Sequence, residues 1–533
     1  MRYVSTRGGG RSVPSASAIL EGIASDGGLF VPEKGVSLDP RRLVGKDYRG
    51  IALETLHSFL DDYSREELTS CLTEAYASSK FDSADIAPLR HIDDGTSVLE
   101  LWHGPTSAFK DMALQVLPRL VALAREKTGS EKELVILVAT SGDTGTAALD
   151  GFRDVPGTRV IVFYPESGVS EVQRLQMITQ AGSNVHAIGI RGGDFDDAQA
   201  GVKAIFADAD FRARLAASGR ELSSANSINW GRLVPQIAYY YAGYLRLVAD
   251  NRIEIGQRVD VAVPTGNFGD ILAAYYARGM GLPLGRLVCA SNANDVLTRF
   301  LADGRYDRRR KLRKTMSPSM DIVVSSNLER LLHDLSDRDG RRVAAWMDSL
   351  AKEGHYAIDD IMRNKIGTVF WGASCSEEET LATIAETWRK RRYLVDTHTA
   401  VALNVYEKYR AAAHAAAGAG IGRGRVDASV GPAWNSRATA FADGGSYVLV
   451  ASTASPFKFN ASVARAILGD DACAGRGEFE LLDTLSEVCH AAVPPGIASL
   501  RGKPILHPGT CSVEGMRDEV AAILGLGGTR TRV

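Results

Sequence analysis

Lys110 is the residue whose type and position most directly suggest covalent chemistry. It lies in the segment HGPTSAFKDMALQVLPRL (103–120), where a Gly-Pro turn precedes Thr106 or Ser107 as a helix cap. Lys110 would then occupy the first helical turn, where the helix dipole disfavours a positive charge. Small and apolar neighbours would also desolvate the amine, and both effects lower the pKa of a lysine. These properties suit a lysine that forms a Schiff base, although a surface lysine at a helix start fits the same pattern.

Two further segments place glycines and hydroxyl groups directly after apolar strands. TSGDTGTAALDGF (140–152) follows ELVILVA, and PTGNFGDILAAYYARG (264–279) follows VDVAVP. Open α/β sheets bind ligands at this end of their strands, where the next helix offers free N–H groups to an anion. In the first segment Ser141 and Thr144 would help to hold a carboxylate. In the second, the glycines would let a phosphate approach the backbone. Each segment alone also fits an ordinary turn with a helix cap.

Two weaker candidates lie elsewhere in the chain. ASTASPFKF (451–459) ends another apolar strand with polar side chains, and a helix cap explains it equally well. SSANSINWGRLVPQ (223–236) collects hydrogen-bond donors at a helix start. Arg232 in that segment would bind an anion or pair with an acid on the surface.

The rest of the sequence predicts the elements that would position these residues. Continuous apolar segments rich in β-branched residues indicate parallel strands buried on both faces. They lie at 133–139, 160–164, 185–190, 259–264 and 286–291. Helical patterns separate them, so we expect an open, doubly wound α/β sheet or two such sheets. Ser170 with Gln173 predicts a capping box, and Gly182 predicts the end of the same helix. Residues 1 to about 90 are predicted to be mostly helical.

Composition and charge exclude several classes of protein. The chain has 533 residues, of which 45% are hydrophobic and 24% charged, as in ordinary globular proteins. Its 62 Lys and Arg residues balance 64 Asp and Glu residues, so we expect no nucleic-acid partner and no anionic membrane surface. The sequence contains no uninterrupted apolar run of about 18 residues, so we expect no membrane span. The polar start lacks the apolar region of a secretory signal.

The cysteines and histidines predict neither disulfides nor a metal site. The six cysteines form no C-x-x-C pair, and the ten histidines show no zinc-binding spacing. A reduced, cytoplasmic compartment is therefore expected. His103 and His398 are expected to make structural hydrogen bonds. The Ala/Gly-rich segment that begins at 411 predicts a flexible surface insertion or helix end.

The order of the motifs resembles one enzyme family along nearly the whole chain. HGPTSAFKD, SGDTG, SINWGR, PTGNFGD and a late STASP occur in the order found in threonine synthases, which are fold type II pyridoxal-phosphate enzymes. YVSTRGG, GIASDGGLFVPE, TMSPSMDIVVSSNLERLL and DTHTAVA resemble the same family. The resemblance implies two open, twisted, largely parallel sheets flanked by helices. We expect an N-terminal region (1–95), an α/β domain with Lys110 (96–255) and a second α/β domain (256–533), with an Ala/Gly-rich insertion near 411–445.

The resemblance also implies a role for each matching residue. Lys110 would form the Schiff base with pyridoxal 5'-phosphate, and Thr453 would face the pyridine nitrogen. The cofactor phosphate would lie in a cup formed by Gly266, Asn267, Phe268, Gly269 and Asp270. The cofactor's 3'-oxygen and the substrate carboxylate would be surrounded by Ser141, Gly142, Asp143 and Thr144. Many fold type II relatives carry Asn where Asp143 stands. The candidates for the substrate phosphate are Asn229, Arg232 and Lys458.

The implied reaction converts O-phospho-L-homoserine and water to L-threonine and phosphate. The alternatives are a pyridoxal-phosphate-dependent phospho-lyase on the same substrate, or a lyase like the serine/threonine dehydratases. A non-catalytic protein that kept the fold is a third, although the intact motif residues argue against it. The expected partner is a small molecule, and the chain is expected to be a monomer or a homodimer.

Overall fold

The computed structural model of the chain describes residues 1–418 and 447–527. Within these ranges no helix is both long and apolar enough to cross a bilayer. The first residues of the predicted Ala/Gly-rich insertion, 411–418, are helical. Residues 419–445 of that insertion lie outside the described ranges.

The N-terminal region combines helices with short strands. Its elements are β1 (Arg2–Ser5), β2 (Val13–Pro14), α1 (Ser15–Glu21), β3 (Phe30–Pro32), α2 (Tyr48–Phe59), α3 (Arg65–Ala75) and β4 (Leu89–His91). The helices agree with the sequence analysis, and Ser64 with Glu67 forms a capping box at α3. The antiparallel sheet β2-β1-β3 was not predicted, because strands of two to four residues are too short to show an alternating pattern.

The next part of the chain alternates strands and helices. Its elements are β5 (Thr96–Glu100), α4 (Lys110–Leu114), α5 (Leu117–Thr128), β6 (Glu133–Ala139), α6 (Asp143–Gly151), β7 (Thr158–Pro165), α7 (Glu171–Ile178), β8 (Val185–Ile190), α8 (Phe195–Ala207), α9 (Ala209–Ala217), β9 (Arg220–Ser223) and α10 (Trp230–Ala249). The capping box of Ser170 and Gln173 at α7 is confirmed. The predicted helix end at Gly182 is wrong, because α7 ends at Ile178 and Thr179 follows as its cap.

The third part continues the alternation. Up to residue 418 its elements are β10 (Val259–Pro264), α11 (Gly269–Gly279), β11 (Leu284–Ser291), α12 (Val296–Asp303), β12 (Arg305–Asp307), α13 (Leu328–Leu335), α14 (Gly340–Lys352), β13 (His355–Ala357), α15 (Asp360–Gly367), β14 (Phe370–Ser374), α16 (Glu377–Arg391) and α17 (Thr397–Gly418). After residue 446 they are β15 (Tyr447–Ser452), α18 (Asn460–Leu468), α19 (Asp470–Cys473), α20 (Glu478–Cys489), α21 (Pro495–Ala498), β16 (Thr510–Cys511) and α22 (Met516–Ile523).

Two largely parallel sheets form the framework. The larger has the order β14-β11-β10-β15-β5-β4, in which β4 alone runs antiparallel to its neighbour among the described strands. The smaller has the order β16-β8-β7-β6-β9 and is parallel throughout. The five predicted strands are β6, β7, β8, β10 and β11. All residues of β10 and β15 are buried, which explains why their sequences are mostly apolar rather than alternating; Asp260 and Ser452 are the polar exceptions.

Sheet membership differs from the predicted division of the chain at 95 and 255. β5 lies in the range 96–255 but pairs with β15 of the larger sheet. β16 lies in the range 256–533 but pairs with β8 of the smaller sheet. Pairing joins strands that are distant in the sequence, and local patterns carry no information about such partners.

Helix α10 connects the two sheets and is almost entirely buried. It packs against α2, α4 and α11. At Gly243 a Cβ atom would lie 3.0 Å from a methyl group of Leu449 and 3.3 Å from one of Leu99, so glycine lets the helix approach the larger sheet closely. The N-terminal end of α10 thereby brings Arg232 into the interior between the two sheets.

Candidate active site

One cavity collects most of the residues that the sequence analysis singled out. It encloses about 490 Å³ of empty space, in part open to solvent. It is lined by Phe109, Lys110, Ser227, Arg232, Gln236, Pro264, Thr265, Gly266, Asn267, Phe268, Gly269, Asp270, Ser319, Met320, His398 and Thr453. The ends of β10 and β15 and the starts of α4, α10, α11 and α17 contribute these residues, as expected for the carboxyl edge of a parallel sheet.

Lys110 is the first residue of α4, in the helical turn where the sequence placed it. Its Nζ lies 4.3 Å from the ring centroid of Phe109. Burial lowers the pKa of Lys110 to about 8, and the positive charge of Arg232 acts in the same direction. An amine with such a pKa is substantially neutral near pH 8 and can act as a nucleophile or exchange a proton.

The loop before Lys110 is held from both sides. The backbone N–H and the hydroxyl of Thr106 both donate to the Asp111 carboxyl at 2.8 Å. Lys458 donates to the Thr106 carbonyl at 2.8 Å, and the N–H of Phe109 donates to the Thr453 carbonyl at 2.8 Å. The predicted cap by Thr106 or Ser107 is therefore wrong, because α4 begins after Phe109 without a side-chain cap. The Thr106 hydroxyl is a donor to Asp111 rather than an acceptor.

The GNFG turn between β10 and α11 is built for close approach. Phe268 adopts a left-handed conformation with φ of 62°, and α11 begins at Gly269 with no side-chain cap. The first N–H groups of the helix therefore remain available to an anion. A Cβ atom at Gly266 would lie 2.9 Å from the Ser319 carbonyl oxygen, so a larger residue does not fit. Asn327 fixes the turn by donating to the Asn267 carbonyl at 3.1 Å.

Asp270 follows this turn and is buried. Its Oδ1 accepts hydrogen bonds from the hydroxyls of Tyr239 and Tyr240, whereas its Oδ2 has no partner among the described residues. Burial raises the pKa of Asp270, and the two tyrosine hydroxyls oppose that shift. An acceptor oxygen without a donor is costly in the interior, so it marks a position where a donor is expected.

The Nε of Arg232 is the complementary case, a buried donor without an acceptor among the described residues. It is only 2% exposed, and its Nη1 donates to the Ala225 carbonyl at 2.5 Å. Its Nε has no partner, and it forms no ion pair with any residue in the described ranges. Burial lowers the pKa of Arg232 to about 10, which leaves the guanidinium charged at neutral pH. A buried, charged and unsatisfied guanidinium that lines a cavity is suited to a phosphate or carboxylate.

Asp143 forms a buried ion pair behind the cavity. The Lys458 Nζ lies 3.0 Å from its Oδ1, and the two side chains are 0% and 4% exposed. Ser319 donates to Oδ2 at 2.6 Å, and Gln173 donates to Oδ1 at 2.9 Å. Burial by itself would raise the pKa of Asp143, but Lys458 and these donors hold it well below its usual range. Asp143 is therefore a carboxylate, and it reaches the cavity through Ser319.

Several predicted ligand residues do not line the cavity. Ser141, Gly142 and Thr144 lie beside Asp143 in the same turn, and at Gly142 the lack of a Cβ makes room for Gln173. Lys458 is occupied by Asp143 and the Thr106 carbonyl.

Asn229, a predicted ligand of the substrate phosphate, makes hydrogen bonds that hold the start of α10. Its Oδ1 accepts from the N–H of Gly231 at 2.9 Å, which makes it the cap of α10. Its Nδ2 donates to the Ile19 carbonyl at 2.9 Å. Both ends of the amide are thus used to hold the helix, and Asn229 is not among the residues that line the cavity.

The structure adds site residues that the sequence analysis did not assign. Ser319 and His398 both line the cavity, and the N–H of Ser319 donates to the His398 Nε2 at 3.2 Å. The His398 Nδ1 lies 2.7 Å from Asp396 Oδ2, so it is the protonated nitrogen that donates to this carboxylate. The segments TMSPSMD and DTHT lack the strand, turn and helix pattern that marked the other motifs. In the sequence, only the resemblance to the enzyme family pointed to these two segments.

Comparisons with known proteins agree with this arrangement. The sequence profile described as the N terminus of threonine synthase matches residues 2–76. The profile described as pyridoxal-phosphate dependent enzyme matches residues 98–359, which include Lys110 and the GNFG turn.

Individual relatives extend the match over most of the chain. Threonine synthase of Pseudomonas aeruginosa is 42% identical over 414 residues, which cover 77% of this chain and 85% of that protein. Threonine synthase-like 1 of Homo sapiens is 43% identical over 406 residues, 74% of this chain. The chain spans about half (54%) of the length of that relative. The crystal structure of pyridoxal-phosphate-bound threonine synthase from Brucella melitensis superimposes with a TM-score of 0.81 at 33% identity, covering 98% of this chain and 99% of that one. The chain belongs to the threonine synthase family of pyridoxal-phosphate-dependent enzymes.

Proposed function

We propose that the protein is a threonine synthase that uses pyridoxal 5'-phosphate to convert O-phospho-L-homoserine and water to L-threonine and phosphate. The observation that supports this most directly is the content of the cavity. A lysine of lowered pKa, an uncapped helix start and an unpaired buried arginine line the same space. Together they offer one nucleophile and two places for anions.

The residues present fit the cofactor. Lys110 supplies the amine for a Schiff base, and the GNFG turn supplies a cradle that a Cβ at Gly266 would obstruct. Thr453 offers a neutral hydroxyl to the pyridine nitrogen. A carboxylate at that position would keep the nitrogen protonated, whereas a hydroxyl does not. When bound, the cofactor supplies the electron sink for carbanion chemistry.

Arg232 provides a second place for an anion, separate from the GNFG turn. The substrate carries a phosphate and a carboxylate, so it needs binding groups beyond those that hold the cofactor. The unpartnered Nε of Arg232 would gain a charge-assisted hydrogen bond on binding either group. We assign it to the substrate phosphate. Ser141, Gly142 and Thr144 are assigned to the substrate carboxylate, and they would have to reach it by movement of the turn around Asp143.

Lys110 is the group placed to move protons. With a pKa of about 8 it is able both to accept and to return a proton near neutral pH. We assign it the transfers at Cα and Cβ of the substrate. Phosphate leaves from Cγ, and water adds at Cβ.

Product analysis tests the proposed function. Purified protein loaded with the cofactor is mixed with O-phospho-L-homoserine, and threonine, phosphate and 2-oxobutyrate are measured. Threonine and phosphate in equal amounts support the proposal. Phosphate with 2-oxobutyrate would identify a phospho-lyase instead, and no phosphate release would contradict both reactions. Lys110→Ala serves as the matched control and is expected to release no phosphate.

We also propose that the protein acts in amino-acid biosynthesis in the cytoplasm, as a monomer or a homodimer. All six cysteines are free thiols, which fits a reducing compartment. Light scattering of the purified protein would determine the number of subunits.

A further inference from the structure

Arg330, in the first turn of helix α13, is a buried charge that the proposed function does not use. Its side chain is fully buried, and it forms no ion pair with any residue of the described ranges. The neighbouring Glu329 is paired with Arg7 at 3.0 Å instead. Burial lowers the pKa of Arg330 to about 10, so the guanidinium stays charged at neutral pH. A buried charge without a counter-ion is destabilising unless hydrogen bonds compensate for its desolvation, so its hydrogen bonds indicate its role.

The guanidinium of Arg330 joins three segments of the chain by donating to uncharged oxygens. Its Nε donates to the Phe30 carbonyl of β3 at 3.1 Å, and its Nη2 donates to the Ile228 carbonyl at 2.5 Å. Its Nη1 donates to the Oδ1 of Asn327. Because an arginine can only donate, this last hydrogen bond also fixes the orientation of the Asn327 amide, with its nitrogen turned away from Arg330.

The fixed amide of Asn327 contacts both the GNFG turn and Ser227. Its Nδ2 donates to the Asn267 carbonyl at 3.1 Å and to the hydroxyl oxygen of Ser227 at 3.3 Å. Ser227 lines the cavity, and the next residue in the chain is Ile228, whose carbonyl binds Arg330. Arg330 therefore acts on the position of Ser227 twice, through Asn327 and through Ile228.

Ser227 keeps an unused donor beside the start of α11. Its oxygen accepts from Asn327, and its hydroxyl proton has no acceptor among the described residues. A Cβ atom at Gly269, the first residue of α11, would lie 3.9 Å from the Cβ of Ser227. Ser227 therefore stands beside the uncapped N–H groups of α11, where an anion is expected. A hydroxyl donor at this place adds to the hydrogen bonds that the backbone offers to that anion.

We propose that Ser227 is a further ligand of the cofactor phosphate at the GNFG turn, and that Arg330 is the positioning residue that directs its hydroxyl there. The phosphate supplies the acceptor that the Ser227 hydroxyl lacks. The bond from Arg330 to Phe30 ties this arrangement to the N-terminal region. The inference rests on the proposed function for the cofactor, but not on which reaction follows.

The test compares pyridoxal 5'-phosphate with pyridoxal, which lacks the phosphate. The full-length protein stripped of cofactor is titrated with each compound, and binding is followed by visible absorbance. In Ser227→Ala we expect about 10–100-fold weaker binding of the phosphorylated compound, the loss of one hydrogen bond to a charged group, and unchanged binding of pyridoxal. Ser227→Thr keeps the hydroxyl and is expected to bind pyridoxal 5'-phosphate more tightly than Ser227→Ala does.

Arg330 is tested by the same comparison. Arg330→Gln is expected to weaken binding of pyridoxal 5'-phosphate at least about fivefold and to leave binding of pyridoxal unchanged, because the Ser227 hydroxyl loses its orientation. The matched control is Arg338→Gln, since Arg338 also donates to β3, at the Pro32 carbonyl at 3.3 Å, but does not contact Asn327. If Arg330→Gln does not fold, Asn327→Leu replaces it and is expected to show the same phosphate-specific loss.

Unchanged binding of both compounds in Ser227→Ala, or equal losses for both, would overturn the inference. A loss in Arg338→Gln as large as that in Arg330→Gln would also overturn it, because the contact with β3 alone would then explain the effect. A protein that shows the phosphate-specific losses but makes no threonine would refute the proposed reaction and leave the roles of Ser227 and Arg330 standing.

Discussion

The buried pair of Lys458 and Asp143 allows a quantitative test of how the site is built. Lys458→Met removes the ammonium but keeps the length of the side chain. It leaves the Asp143 carboxylate without its cation in an interior where the two groups are 0% and 4% exposed. Breaking a buried pair in this way costs about 3–5 kcal/mol, because the remaining charge is not solvated. We expect a loss of that size in the free energy of unfolding at pH 7.

The pH dependence separates this explanation from a simple packing defect. In the native protein the pKa of Asp143 lies below its usual value, so the pair stabilises the fold above about pH 4 and the effect is lost on further acidification. In Lys458→Met burial raises that pKa instead, and the folded variant takes up a proton as the pH falls. The loss in the free energy of unfolding of Lys458→Met should therefore be smaller at pH 5 than at pH 7.

Urea unfolding at both pH values measures these effects. The double variant Asp143→Asn/Lys458→Met is expected to be more stable than Lys458→Met by at least about 1–2 kcal/mol, because no unpaired charge remains. Lys132→Met, at the exposed pair of Lys132 and Glu221 separated by 3.2 Å, is the control and should cost less than about 1 kcal/mol. A loss in Lys458→Met below about 1 kcal/mol, or the same loss at both pH values, would refute the reasoning.

Three other variants probe separate parts of the account. Gly266→Ala should weaken cofactor binding at least about tenfold in an absorbance titration, which corresponds to a loss of about 1.4 kcal/mol. The control is Gly367→Ala, where a Cβ meets nothing within 4 Å, and it should leave cofactor binding unchanged. Arg232→Gln should raise the KM for O-phospho-L-homoserine about 10–100-fold, the loss of one charge-assisted hydrogen bond of ~1.5–3 kcal/mol, and an unchanged KM would remove it from the substrate site. His103 is partly buried, which lowers its pKa, but hydrogen bonds to two carboxylates raise that pKa to about 9. This stabilisation is fully present below about pH 6.5 and lost as the pH rises through 9, so His103→Gln should cost about 1–3 kcal/mol more at pH 6.5 than at pH 9.5 in thermal unfolding.

The strands of the framework were predictable because their burial leaves a local pattern. Strands buried on both faces are apolar at nearly every position, and β6 and β10 follow that pattern, with Glu133 and Asp260 as the exceptions. Likewise, a turn after such a strand must lie at the carboxyl edge of the sheet. For this reason the GNFG turn was a candidate from its pattern, Lys110 was a candidate from its place at a helix start, and Thr453 was implied by the family resemblance. The structure places all of them in one cavity.

The parts that were missed depend on contacts between distant residues. Ser319 meets Asp143 across 176 positions of the chain, and no local pattern announces that hydrogen bond. Asn229 carries an amide directly before a helix start, which suits a ligand as well as a cap. The hydrogen bond from its amide to the Ile19 carbonyl, which the sequence does not reveal, shows that Asn229 holds the helix start. The left-handed conformation of Phe268 was equally invisible, since a phenylalanine rarely adopts it.

A lowered pKa alone does not single out the lysine proposed to form the Schiff base. Burial also lowers the pKa of Lys80 to about 8, the same value as for Lys110. Lys80, however, donates to the Gln115 side chain at 2.7 Å and does not line the cavity. The position at the cavity, together with the GNFG turn and Arg232, distinguishes Lys110.

The most direct test of the account is to locate the covalent bond to the cofactor. The cofactor-loaded protein is reduced with borohydride, digested, and mapped by mass spectrometry for the lysine that carries the pyridoxyl group. We expect the label on Lys110, in the peptide that contains SAFKDMALQ. A label on Lys80, Lys458 or any other lysine would contradict the account.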